Sequence, residues 1–123
     1  MSITIQRGLT TLTGNSQAVT ITAVDLARSF ILITASTDAA VASTGCQNWL
    51  VTGYLTDSTT LTLQREGSTV TGSVSWEIVT CDEDEFLVHR GQKSINTGNT
   101  TATQAISEVD LSRAMLIYSV RAN

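Results

Sequence analysis

The feature that most constrains this chain is that it repeats itself. Arg7-Gly8 near the start returns as Arg90-Gly91, Leu12 as Ile95, and Gly14-Asn15 as Gly98-Asn99 after one inserted residue. With one further insertion, the stretch Ala23 to Ile33 lies over Glu108 to Tyr118, sharing Val-Asp-Leu-x-Arg at identical spacing (Val24 to Arg28 against Val109 to Arg113). Two unrelated strand-rich segments would not preserve these three signatures in order. The offset of about 84 residues exceeds the usual solenoid periods and approaches the size of a small domain. Residues 1–81 therefore read as a first β repeat, 82–85 as an acidic hinge, and 86–123 as the front half of a second repeat. A half-copy presents strand edges and an apolar face that something must cover.

The repeat unit itself reads as strands throughout. Ile3 and Ile5 alternate with Thr4 and Gln6, with Gly8 expected at a bulge or bend. Gly14-Asn15-Ser16 is turn chemistry, and Val19 and Ile21 share one face of a second strand over Gln17 to Val24. Asp25 stands where its carboxylate accepts hydrogen bonds from amides two or three residues on. Phe30 to Ala35 is apolar on both faces, as expected of a central, covered strand. Thr37 to Gln47 is the longest loop. A fourth strand, interrupted by Gly53, carries Trp49, Val51 and Leu55, and Asp57-Ser58 turns into a strand over Thr59 to Arg65 that places Leu61 and Leu63 on one face. Residues 66–71 turn around Gly67 into a sixth strand with Val74, Trp76 and Ile78 inward. Phe86 to Ile95, Thr101 to Ser107 and Met115 to Val120 are the three strands expected of the half-copy. No helical period is sustained anywhere. The expected fold is all-β, an antiparallel β-sandwich of about nine strands, a six-strand repeat plus a three-strand half-repeat.

Composition agrees and narrows the function. The chain has 123 residues, 41% of them hydrophobic and only 15% charged, enough for a packed core and too apolar for intrinsic disorder. Its net charge of −4, with seven scattered Lys and Arg, lacks the basic cluster that nucleic acid or an anionic membrane surface requires. The most apolar run, Phe30 to Ile33, is too short to cross a bilayer, and the first residues alternate where a signal peptide would begin with charge.

Catalytic chemistry has little to stand on. His89 is the single histidine, so no histidine relay or multi-histidine metal site is expected, and an ordinary strand-face role is the simplest reading. Asp82 to Glu85 are consecutive hinge carboxylates that diverge into solvent. They lack the fixed separation of a glycosidase pair and the Asp-x-Asp-x-Asp-Gly order of a calcium loop. No Gly-x-Ser-x-Gly elbow and no phosphate-cradling glycine loop is present. No catalytic, metal or cofactor-binding residue is expected. Cys46 and Cys81 stand beside strand ends, as two thiols of a reducing cytosol or as a disulfide pair. Trp49 and Trp76 read as core residues. Trp49 also borders the long loop, so Trp49 with Tyr54 is the candidate interface or sugar-stacking surface. Arg7 and Arg90, with Arg28 and Arg113, recur at matched places. They read either as structural residues, Arg28 and Arg113 pairing with Asp25, Asp110 or carbonyls, or as lining for a subunit contact.

The order of an Arg-Gly strand, a Val-Asp-Leu-Ala-Arg-Ser link, the Phe-Ile-Leu-Ile strand, the Leu55-Thr56-Asp57-Ser58-Thr59-Thr60-Leu61 hairpin and the Val74-Ser75-Trp76 strand resembles a repeat of structural proteins in tailed-phage virions. The resemblance covers almost the whole chain and rests on strand and turn residues. It implies a head-decoration or tail-accessory subunit, made in the host cytoplasm and resident in the virion. Its expected partners are copies of itself, with a trimer favoured, and other virion proteins. A looser similarity to H-type lectin-like sandwiches implies the alternative of a carbohydrate-binding module for a surface glycan.

Overall fold

The computed structural model describes residues 2–37, 48–67, 70–84 and 86–121. Six strands carry the fold: β1 (Ile3–Leu12), β2 (Ser16–Thr20), β3 (Ser29–Thr37), β4 (Thr52–Asp57), β5 (Thr60–Gln64) and β6 (Gly72–Cys81). A 3-10 turn, Leu26–Arg28, precedes β3. It is capped by Asp25, whose Oδ1 accepts the Ala27 amide at 2.8 Å, as its place in the sequence suggested. The strands form two open three-stranded antiparallel sheets, ordered β1-β6-β3 and β2-β5-β4. The chain is all-β.

The strand at the centre of the first sheet is β6, not β3. Alternation decides this: Val74, Trp76 and Ile78 project into the core from ten consecutive residues paired on both sides. In β3, Ile31, Ile33 and Ala35 pack on the core while Leu32 on the opposite face is exposed. The second apolar face of β3, which suggested a covered strand, instead meets Phe86 through Phe30, with ring centroids 6.1 Å apart.

Gly8 is likewise no bulge. The β1–β6 ladder is unbroken from Ile3↔Cys81 to Leu12↔Gly72, and Gly8 lies opposite Trp76. A Cβ on Gly8 would lie 2.2 Å from Trp76 Cζ2, so the glycine is the seat of the indole. The indole N–H donates to Thr10 Oγ1 at 3.0 Å, which gives its polar edge a partner. Gly53 does similar work between the sheets. A Cβ there would stand 3.2 Å from Ile33 Cγ2 and 3.3 Å from Leu63 Cδ2, so β4 remains continuous through it and approaches β3 closely. The register of β4 shifts later, between Leu55 and Asp57.

The two sheets share one core. Leu12, Leu61, Leu63 and Ile78 are fully buried, joined by Ile21, Val51, Leu55, Val74 and Trp76. Leu61→Ala should cost about 3 kcal/mol, the range for a fully enclosed leucine, as read from the midpoint of urea unfolding.

Arg65, which follows β5, is as buried as these leucines, at 1% exposure. Its Nε donates to Gly14 O at 2.9 Å, and its Nη atoms donate to Leu12 O at 3.0 Å, Asn48 O at 3.3 Å and Val70 O. One planar guanidinium thus gathers the β1–β2 turn, the entry to β4 and the approach to β6. Burial pulls its pKa down from the usual arginine value without discharging it.

Among the described residues there are six strands where the sequence led us to expect nine. Residues 86–121 contain no strand. The reason lies in the topology of the first copy. There β1 and β3 both pair with β6, and β2 pairs with β5, so the three front strands never pair with one another. Among the described residues the second copy has front segments and no counterpart of β5 or β6.

Candidate functional site

The segment after Cys81 is fixed at its root and then leaves the sheets. Ser2 N donates to Asp82 Oδ1 at 2.6 Å and Asp82 N to Ser2 O at 3.1 Å. Arg28 reaches Asp25 at 3.5 Å, as expected, and also binds the hinge, through Asp84 Oδ1 at 2.6 Å and Asp82 O at 3.1 Å. Val88 N donates to Ala27 O at 2.8 Å, and Arg90 donates to Ser29 O at 3.3 Å and to Leu26 O. Among the described hinge residues, the Asp84 carboxylate is therefore engaged by Arg28 and that of Asp82 by the Ser2 amide, while Asp82, Glu83 and Asp84 remain at the surface.

Beyond this root, residues 86–121 repeat the local geometry of the first copy without its packing. Asp110 Oδ1 accepts the Ser112 amide at 2.9 Å and the Ser112 hydroxyl at 2.7 Å, as Asp25 accepts Ala27. Arg113 N reaches Asp110 O at 3.0 Å, where Arg28 N reaches Asp25 O at 3.1 Å. The turn encoded by Val-Asp-Leu-x-Arg thus forms in both copies. Its hydrogen bonds, the Ser112 hydroxyl foremost and then its amide, hold the Asp110 carboxyl below its usual pKa. An NMR titration of the intact chain should find Asp110 titrating below an ordinary aspartate, and Ser112→Ala should move it back upward.

The apolar positions of the two copies differ sharply. Leu12 is 0% exposed and its counterpart Ile95 is 59% exposed; Ile21 is 7% exposed and Ile106 is 66%. Leu26, Ile31 and Ile33 pack against the core, whereas Leu111, Leu116 and Tyr118 are open to solvent. Gly8 holds an indole, but a Cβ on Gly91 would find only Gln104 Cγ, at 4.0 Å. An open cavity of about 420 Å³ lies here, lined by Val88, His89, Arg90, Gly91, Gln104 and Ile106 among others.

The other residues singled out from the sequence are dispersed. Arg7 lies on β1 and pairs with Glu77 of β6 at 2.6 Å, both at the surface. Trp76 is core, as expected, but Trp49 is not: it precedes β4 and is 48% exposed. Tyr54 is half-buried in β4, opposite Thr62. His89 is exposed. Among the described residues no three His, Cys, Asp or Glu side chains gather in a way that would hold a metal ion. Cys81 is a buried free thiol, while Cys46 and the long loop over 38–47 lie outside the described residues, and with them the proposed Cys46–Cys81 bridge. Buried thiols react slowly, so a thiol reagent should label Cys81 in native protein many-fold more slowly than in urea. Arg65 was not singled out beforehand; an arginine closing a Leu-Thr-Leu strand and followed by Glu66 gives no sign in sequence that it turns inward.

The chain matches no protein-family model, no curated protein and no solved structure.

Proposed function

We propose that this is a non-enzymatic structural protein of a tailed-phage virion, a capsid-decoration or tail-accessory subunit that works through protein–protein contacts. The observation that carries the reading is the uncovered face of the second copy. Nine large apolar side chains between Leu87 and Val120 are exposed among the described residues. Scattered single exposures are ordinary, but a run of this kind marks an interaction surface. The sequence pattern of the repeat points to virion proteins as the setting. The finished, nine-stranded sandwich would arise only when the three front segments of the second copy are covered. Mass spectrometry of density-banded particles from a phage encoding this chain tests the reading. The chain should be present at a fixed multiple of the major capsid or tail protein; absence from clean particles would refute it.

One observation favours the carbohydrate-binding alternative, the exposed ring of Trp49. Glycan-array binding lost in Trp49→Ala, with the unfolding midpoint unchanged, would transfer the proposal to that function.

A further inference from the structure

We infer that the open edge of β1 pairs with β1 of a second copy of this chain, the two strands running antiparallel about a two-fold axis. Alternation within the β1–β6 ladder shows what the edge offers. The Asp82 amide donates to Ser2 O at 3.1 Å, one step beyond the pair Ile3↔Cys81. Hydrogen-bonded and non-bonded pairs alternate in an antiparallel ladder, so residues 4, 6, 8, 10 and 12 direct their N–H and C=O groups at β6. Ile3, Ile5, Arg7, Leu9 and Thr11 direct theirs away from it. Among the described residues those outward backbone groups have no hydrogen-bond partner.

Each of the other three sheet edges is guarded. β2 has five residues, and β4 carries a register shift between Leu55 and Asp57. The entry to β3 is engaged by the segment after the hinge, where Val88 N donates to Ala27 O and Arg90 to Ser29 O. Short, bulged and covered edges resist pairing with another chain. β1 has none of these devices. It is ten residues long, its ladder is unbroken, and it contains neither proline nor lysine. Its one charged side chain, Arg7, is engaged by Glu77 of β6, on the side away from the open edge.

The edge also complements itself. A strand edge is closed by another strand, and a two-fold axis closes two identical edges in one contact. Bonding of the outward groups sets odd residues opposite odd residues. The register that centres on Arg7 would place like charges opposite each other, which is unfavourable. A shift by one pair sets Arg7 opposite Ile5 and Ile3 opposite Leu9, with Gln6 of both chains at the axis. The shift in the other direction leaves Ile3 unpaired and sets Ile5 against Thr11. The first of these also joins the exposed Ile3, Ile5 and Leu9 of both copies into one apolar stripe on the outer face. The product is a single sheet ordered β3-β6-β1-β1-β6-β3. Two copies complete it, so this edge forms a dimer and not a trimer. The inference does not depend on the virion assignment.

The test uses the full chain. Sedimentation velocity between about 1 and about 500 µM should show a monomer–dimer equilibrium. Over the same range, residue-resolved hydrogen exchange by NMR should show the Ile5, Arg7 and Leu9 amides gaining protection as dimer forms. The Gln6, Gly8 and Thr10 amides should stay slow throughout, in the parent and in each variant, which reports an intact fold. Ile5→Lys sets a cation opposite Arg7 at two symmetric places and should weaken dimerisation by about tenfold. Ile5→Glu sets a carboxylate there and should dimerise about tenfold more tightly than Ile5→Lys. A monomer at about 500 µM, a trimer, or a dimer whose Ile5 and Arg7 amides still exchange freely would overturn the inference. Equal dimerisation of the Lys and Glu variants would overturn it as well, since Arg7 would then not face residue 5.

Discussion

Arg65→Ala should destabilise the protein by about 4 kcal/mol and lower Tm by roughly 20 °C. The expectation follows from what the guanidinium holds. Four carbonyl groups, from Leu12, Gly14, Asn48 and Val70, converge on a side chain with 1% exposure. Truncation leaves those acceptors facing a void, and each unmatched buried polar group costs on the order of 1–3 kcal/mol. Arg65→Lys keeps the charge but not the planar fork, so it should recover only part, with a loss of about 2 kcal/mol. Urea unfolding of the three proteins checks both values. If Arg65→Ala unfolds within about 1 kcal/mol of the parent, the carbonyl cage is not a stabilising feature.

The second large effect is at Gly8. A methyl group there would collide with Trp76 Cζ2 at 2.2 Å and Cε2 at 2.5 Å. The indole must then leave its place and give up its bond to Thr10. Overpacking of this kind, with one hydrogen bond lost, should cost about 3 kcal/mol. Gly91→Ala, at the matched position of the second copy, should change the stability of the isolated chain by less than about 0.5 kcal/mol, because a Cβ there meets nothing closer than 4.0 Å. Two equivalent glycines with opposite responses would be a direct signature of one complete and one incomplete copy. Equal responses would contradict that account.

These glycines also show what the sequence could convey. The duplication of Arg-Gly marked Gly8 as meaningful, but pattern reasoning assigned it to a bend. Its purpose depends on a strand 68 residues away in register, since Gly8 pairs with Trp76. The strands themselves were legible where alternation was strong: β5 with Leu61 and Leu63, and β6 with Val74, Trp76 and Ile78. The turn at Asp25 was legible because its hydrogen bond is local. Strand order was not. Phe30 to Ala35 looks central by composition, yet its outer apolar face serves the contact of Phe30 with Phe86. Nor did periodicity distinguish a strand with a partner from a segment that only has the alternation of one. Met115 to Val120 has the character of β3, but a strand exists only where another offers its backbone. Trp49 was misplaced in the core for a related reason, since an aromatic beside a loop belongs to the core only if the chain turns inward there.

The account rests on the claim that the chain contains one completed β unit and one uncovered front half. Hydrogen exchange followed by mass spectrometry on the isolated chain at micromolar concentration addresses it most directly, because equivalent segments are compared within one molecule. Amides paired in β1, β3 and β6 should exchange slowly, near the rate set by global unfolding. Those of 91–121 should exchange within seconds, with a brief retardation at the Asn99 amide, which donates to Asn96 O, and at the Ser112 and Arg113 amides of the Asp110 turn. Equal, deep protection of 3–37 and 86–121 in the isolated chain would show that the second copy is already covered, and the account would fall.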